Sequence, residues 1–430
     1  MENDWKKVDW RHTTSIYEVN TRQYTQEGSF DAFRKHLPRL QEMGIGTLWF
    51  MPITPISVKG RKGSLGSYYA CSDYRSVNPE FGTLEDFRDL VGEAHVRGMK
   101  VIIDWVANHT GCDHRWTIEH PDFYKKDQED KFYDAHGWED VIDLDFSSED
   151  MRREMIDSMA FWVREADIDG FRCDMAMLVE VGFWKQAREA LDAQKPMLWL
   201  AELDQWNDPQ YLEVFDAAYS WHWMHATQDH YKSGSWDLQN VKSILEQYGK
   251  LSPAGSMRAW FTSNHDENTW NGSEYEKYGA LAIALAVFSC TWDGIPLIYN
   301  GQELPNLKRL EFFDKDPINW TSEPQLHGLY SKLLHLRKIH PALRGGDEAV
   351  QTTWLSGNDN EPLLAFERRN GDRCILVLLN FSAQPQKADL DGHGHRGKFF
   401  ELFTGRIWDM DKELTSVLLP WASQVWVDQP

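Results

Sequence analysis

The segment DGFRCDMA, residues 169–176, sets Arg172 and Asp174 two positions apart inside an otherwise apolar run. Strand side chains alternate between faces, so Arg172 and Asp174 share one side while Phe171, Cys173 and Met175 take the other. Similar polar endings recur along the chain. DWVANH (104–109) supplies Asp104, Asn108 and His109, AEL (201–203) supplies Glu202, and SNHDE (263–267) supplies His265, Asp266 and Glu267. One acid at a strand end is commonly a cap or loop residue. Several on one rim are harder to explain structurally, because clustered like charges cost energy without partners. The chemistry such a cluster suits is cleavage of a glycosidic bond, which needs one carboxylate as nucleophile or base and a protonated one to assist the leaving oxygen. A third carboxylate could stabilise the oxocarbenium-like transition state. Arg172, beside Asp174, would keep that carboxylate ionised. The pattern alone reaches a carboxylate-based enzyme and does not divide the roles among these residues.

The acids need elements to hold them on one rim. Eight strand-like runs lie between residues 15 and 302: SIYEV (15–19), TLWFMP (47–52), KVIIDWV (100–106), GFRCDM (170–175), MLWLAEL (197–203), AYSWHW (218–223), RAWFTS (258–263) and PLIYNG (296–301). Helical patterns separate most of them, as in FDAFRKHLPRLQEMG (30–44), LEDFRDLVGEAHVRGM (84–99) and MRREMIDSMAFWVREADI (151–168). Strand alternating with helix eight times predicts an α/β fold closed into a (β/α)₈ TIM barrel, with chemistry at the C-terminal strand ends. An open doubly wound sheet is the alternative. Residues 1–106 and 147–344 would form the barrel. Residues 107–146, rich in His, Asp, Tyr and Trp, read as a short lobe inserted after the third strand. From 345 to 430 helical patterns cease and strand runs separated by polar turns predict an antiparallel β-sandwich.

Composition removes several classes. The 67 acidic against 45 basic residues leave a formal charge of −22, which predicts no nucleic-acid partner and no anionic membrane surface. No glycine-rich phosphate loop follows any strand. Five scattered cysteines lack disulfide or zinc spacing. The longest apolar run, ALAIALAVFSC (280–290), is too short to span a bilayer. The opening MENDWKKVDW lacks a signal-peptide core, which predicts a soluble cytoplasmic protein unless a leader has been removed, in which case it would be secreted or periplasmic.

DWVANH, GFRCD, AEL and FTSNHDE, in this order and spacing, resemble the α-amylase family, glycoside hydrolase family 13. GSYYACSDYRSVNPEFGT (66–83) and GIPLIYNGQE (294–303) resemble family segments too. The resemblance runs nearly end to end. It implies a catalytic barrel with a lobe after strand three and a C-terminal β domain. It puts Asp174 on the nucleophile, Glu202 on the acid/base and Asp266 on the transition-state-stabilising carboxylate. Arg172 falls beside the nucleophile and Asp104 on a supporting acid. His109 and His265 fall on histidines that bind sugar hydroxyls, and Tyr69 on the tyrosine under the sugar. The implied activity is retaining hydrolysis of α-glucosidic linkages, foremost α-1,4, in malto-oligosaccharides or starch-like glucans. Transglycosylation or maltose isomerisation through the same intermediate is the second reading, and a non-catalytic carbohydrate-binding relative the third.

Departures bear on specificity and metal. Many starch-acting members carry Lys-His shortly after the nucleophile, where this chain has Met175, Ala176 and Met177, which argues against endo-action on long polymers. No organic cofactor is implied. Asn108 falls on a family calcium ligand, but the short lobe offers no identifiable further ligands and NTRQYTQEGSF (20–30) lacks an Asp-rich calcium loop, so the sequence weighs against calcium. Cys173, alternating with the charged pair, reads as a buried hydrophobe. His114, His120 and His136 read as surface histidines. Loop residues Trp116, Trp138, Trp206 and Trp270 are expected either to stack on sugar rings or to fill the core.

Overall fold

The computed structural model describes residues 5–203, 209–234, 238–355, 362–390, 394–412 and 415–428. Eight parallel strands close into a barrel: β1 (Ile16–Val19), β2 (Thr47–Phe50), β3 (Lys100–Trp105), β4 (Gly170–Cys173), β5 (Leu198–Ala201), β6 (Ala217–Tyr219), β7 (Met257–Trp260) and β8 (Ile295–Tyr299). They neighbour one another in chain order, and β8 returns to β1 with Leu297 opposite Ile16. The strands are buried on both faces, as parallel sheets covered by helices must be, and this is why their sequences are nearly continuous apolar runs. Polar side chains within them are therefore conspicuous. Register sets Asp104 of β3 directly beside Arg172 of β4. At the start of β4 the backbone passes so close to β5 that a Cβ on Gly170 would meet Leu198 O at 2.0 Å.

Local chemistry accounts for the helices between strands. Thr83 and Asp86 form a reciprocal capping box at the start of Leu84–Val96. Ser148 caps Glu149–Ala166, which ends at Asp167 in a left-handed conformation. Two sequence expectations are corrected. The apolar face over 30–44 belongs to two helices, Phe30–Arg34 and Leu37–Met43, because Pro38 cannot extend the first turn. The sixth strand is only Ala217–Tyr219; from Trp221 the chain is already helical, running to Ser233.

Between β3 and β4 lies a small lobe in which His109–Gly111 pairs antiparallel with Val141–Asp143. Helix His327–Ile339 leads out of the barrel into an all-β unit. Its main sheet contains β9 (Gln351–Trp354), β10 (Leu363–Asn370), β11 (Arg373–Asn380), β13 (Lys398–Glu401), β14 (Ile407–Asp409) and β16 (Ser423–Asp428). The order is β9-β10-β11-β16-β13-β14, faced by the two-stranded ladder of β12 (Gln386–Asp389) and β15 (Thr415–Leu418). Alternation divides its core. Leu364, Phe366, Ile375, Val377 and Leu379 join the barrel's hydrophobic cluster, whereas Leu363, Ala365, Leu376 and Leu378 pack with Trp408, Leu418 and Trp426. No described helix is long and apolar enough to cross a membrane.

Candidate active site

Arg172 organises the barrel mouth. It is fully buried, over the face of Trp49 at 5.0 Å, and its guanidinium touches three carboxylates. Nη1 donates to both oxygens of Asp104 (3.0 and 3.2 Å) and to Asp174 Oδ1 (2.8 Å); Nη2 donates to Glu202 Oε2 (2.6 Å). Nε donates to Tyr219 Oη at 3.2 Å. One rigid, permanently charged fork thus fixes the separation of Asp174 and Glu202. The backbone reinforces it, since Glu202 N donates to Cys173 O and Asp174 N to Trp105 O, each at 3.0 Å. Met175, immediately after Asp174, adopts a left-handed conformation (φ 39°) that costs a non-glycine residue about 1 kcal/mol. That turn aims its N–H at Glu202 Oε2 (3.1 Å).

A second chain of hydrogen bonds crosses the mouth. Tyr69 Oη donates to Asp104 Oδ2 (3.1 Å) and lies 2.6 Å from His265 Nε2, while His265 Nδ1 lies 2.5 Å from Glu18 Oε1. Asp266 Oδ2 stands 3.4 Å from His265 Nε2. Burial opposes a charge on His265, but Asp266 and Glu18 outweigh it and raise its pKa to about 9. As an imidazolium it donates from both nitrogens, to Glu18 and to Tyr69. Burial raises Asp174 and Asp104 to about 6 and Glu202 to about 7, with Arg172 pulling all three down. Their titration belongs to the cluster rather than to any one acid. Burial takes His109 the other way, to about 4, so its ring is neutral near pH 7.

These groups open on a cavity of about 480 Å³, lined by Tyr69, His109, Asp174, Glu202 and Asp266 among others. The structure thus brings Asp104, Asp174, Glu202, Asp266, Arg172, Tyr69, His109 and His265 to one place. Asn108 does not line it. Its Nδ2 faces Asp143 Oδ1 (3.4 Å), whose Oδ2 is met by the Lys125 ammonium (3.2 Å) and Ala135 N (3.3 Å). A calcium ion takes six to eight oxygens; with cationic and N–H donors already on Asp143, this set does not fit one. Among the described residues no group of three or more His, Cys, Asp or Glu gathers as a metal site.

Trp138 and Trp270 line the cavity. Trp116 does not: it is buried against Tyr74, His114 and Phe123 and belongs to the core. Trp206 lies outside the described residues. His120 and His136 are exposed as expected, but His114 is fully buried and lowered to about 3 by desolvation, its Nδ1 accepting from Trp116 N. Cys173 is buried, and burial raises its thiol well above the usual range. Sequence reasoning missed Glu18, Lys62, Asp140, Phe312 and Phe313. For Glu18 a signal existed, since an acid within the apolar run SIYEV is as out of place as Asp104 in KVIIDWV.

A closed parallel barrel with a buried arginine and four carboxylates at its C-terminal mouth is the framework of a carboxylate-using barrel enzyme. A family model described as alpha amylase, catalytic domain, matches residues 12–137 and 123–323, and one described as maltogenic amylase, C-terminal domain, matches 356–424. The chain belongs to the alpha-amylase family. Alpha-amylase MalA of Haloarcula japonica is 27% identical over 404 residues, which cover 89% of this chain and 57% of that protein. The chain therefore spans little more than half the length of this curated relative. A solved alpha-amylase of Lactobacillus plantarum superposes with a TM-score of 0.87 at 28% identity, covering 98% of this chain and 100% of that one. The noncanonic maltogenic alpha-amylase AmyB of Thermotoga neapolitana superposes with a TM-score of 0.88 at 29% identity, covering 97% and 99%.

Proposed function

We propose that this chain is a retaining glycoside hydrolase that cleaves α-1,4 glucosidic linkages of malto-oligosaccharides or related glucans. The observation that carries the proposal is Arg172 holding Asp174 and Glu202 on the two terminal nitrogens of one guanidinium. Tying both carboxylates to one guanidinium favours the close spacing that suits direct attack over the wider gap that admits a water between acid and base.

In this reading a glucosyl ring lies against Tyr69, with His109 and His265 on its hydroxyls. Asp174, kept ionised by Arg172, attacks the anomeric carbon while Glu202 protonates the departing oxygen. The acid role requires Glu202 to hold the proton that the cluster shares, and its burial favours the protonated form. Asp266, whose side chain is 39% exposed and faces the cavity, stabilises the positive charge that develops on the ring. Glu202 then acts as base while water releases the ester. Asp104 and Glu18 position Tyr69, Arg172 and His265 without reaching the substrate. The working domain division is residues 1–106 and 147–344 for the barrel, 107–146 for the lobe and 345–430 for the β-sandwich.

The test is maltoheptaose hydrolysis followed by proton NMR. The α-anomer should appear first and then mutarotate, and Asp174→Asn should abolish turnover. Initial release of the β-anomer would contradict the double displacement. Products longer than the substrate would mean that transfer to sugar predominates over hydrolysis.

A further inference from the structure

The two sides of the cavity are built differently. Asp174, Met175 and Glu202 stand at the ends of the adjacent strands β4 and β5. Across the mouth from β5 stands β1, flanked by β2 and β8; the loops after β2 and β8 are tied to the lobe that follows β3, the neighbour of β4, and the three form one wall. Residues 57–66 form a strap between the lobe and the loop after β8. On the lobe side, Ser57 Oγ, Val58 N and Lys59 N all donate to Asp113, and Lys62 Nζ meets Asp140 Oδ1 at 2.9 Å. On the other side, Ser64 N donates to Asp314 Oδ1 (2.8 Å) and Leu65 N to Phe313 O (3.0 Å). The buried Arg22 clamps the junction by donating to the carbonyls of Gly66 (3.1 Å) and Phe312 (3.3 Å). The strap presses on the β8 loop so closely that a Cβ on Gly63, at φ +60°, would sit 2.6 Å from Phe313 Cβ. Lys62, Asp140, Trp138 and Phe313 all face the cavity.

Chemistry orients a substrate between these sides. Glu202 must face the departing oxygen, so the reducing-side sugars leave past β5. Sugars preceding the cleaved bond must then run toward the opposite side, where the wall stands. The cavity of about 480 Å³ is lined on that side by Lys62, Trp138, Asp140 and Phe313. The Lys62–Asp140 pair, with the carboxylate almost buried and the ammonium partly exposed, offers donors and acceptors in a fixed arrangement.

We infer that the strap 57–66, through the Lys62–Asp140 pair, closes the non-reducing side of the site and receives the terminal hydroxyls of the glucan. The enzyme therefore works from chain ends and releases a short product of uniform size. This rests on the assignment of Asp174 and Glu202 above.

The test compares p-nitrophenyl maltoheptaoside with the same compound capped at its non-reducing end by a 4,6-ethylidene group, with products separated by chromatography. The parent should cleave the uncapped compound to one dominant short product and the capped one at least about tenfold more slowly, the order of discrimination a closed pocket gives. Lys62→Ala should bring the two rates together and broaden the product lengths, and the double variant Lys62→Ala/Asp140→Ala should do no more than the single one. Equal rates on capped and uncapped compounds by the parent overturn the end wall while leaving the hydrolase assignment intact. An unchanged product distribution in an active Lys62→Ala enzyme also overturns it. Cleavage of neither compound overturns the hydrolase assignment and the inference with it.

Discussion

Replacing Glu18 by Gln tests whether the mouth depends on a charged His265. Glu18 is fully buried on β1, and its Oε1 receives His265 Nδ1 at 2.5 Å and His265 N at 3.3 Å. The amide of Gln keeps an oxygen there and removes the charge. In the parent, His265 is raised to about 9 from an unfolded value near 6.5. A folded-state pKa above the unfolded one stabilises the protein fully below about pH 6.5, and that stabilisation is lost as pH rises through about 9. At about 1.4 kcal/mol per pH unit the gap corresponds to at most about 3 kcal/mol. Burial pushes Glu18 itself upward, so holding it ionised offsets part of that gain. Asp266 remains near Nε2 in the variant, so some of the shift survives. Urea midpoints, followed by tryptophan fluorescence from about pH 6.5 to 9.5, should fall more steeply with pH in the parent than in Glu18→Gln. Parallel midpoint curves would refute the claim that Glu18 holds His265 charged.

Three further expectations follow from the geometry. Glu202→Gln should lower kcat on maltoheptaose by about 10²–10⁴, the usual contribution of a general acid, and by much less on an α-glucosyl fluoride, whose leaving group needs no proton; equal losses on both would remove Glu202 from that role. Trp270→Ala, at a cavity-lining ring 52% exposed, should raise KM with little change in thermal stability, whereas Trp116→Ala, in the lobe's core, should cost about 3–5 kcal/mol; calorimetry beside steady-state kinetics separates the two. A chelator should leave activity and melting temperature unchanged, because the Lys125 ammonium already faces Asp143, while Lys125→Ala should lower the melting temperature; a chelator-induced loss reversed by calcium would contradict this.

Particular residues show what could be read beforehand. Asp104, Asp174, Glu202 and Asp266 stand out together, because one acid at a strand end is ordinary whereas several on one rim are not, and the barrel makes their common rim a consequence of topology. Glu18 obeys the same rule, but its partner is 247 residues away in sequence and no local pattern announces it. Lys62, Phe312 and Phe313 belong to long loops without periodicity, whose course depends on distant ties such as Ser64 to Asp314 and Arg22 to Phe312. His114 reads as a surface histidine because polar neighbours surround it, yet it is buried with Trp116 against Tyr74. In β11 both faces are covered, so the run RCILVLLN shows no alternation, and only the structure divides it between the barrel and the outer ladder.

The central claim is that Asp174 forms a covalent bond to the sugar. Incubating the Glu202→Gln enzyme with 5-fluoro-α-glucosyl fluoride, which forms the ester readily and releases it slowly, and measuring intact and peptide masses tests it directly. The account predicts one fluoroglucosyl adduct per chain, confined to the peptide containing Asp174 and absent from an Asp174→Asn partner variant. An adduct on another carboxylate, or rapid turnover of the fluoride by a chain lacking Asp174, would contradict it.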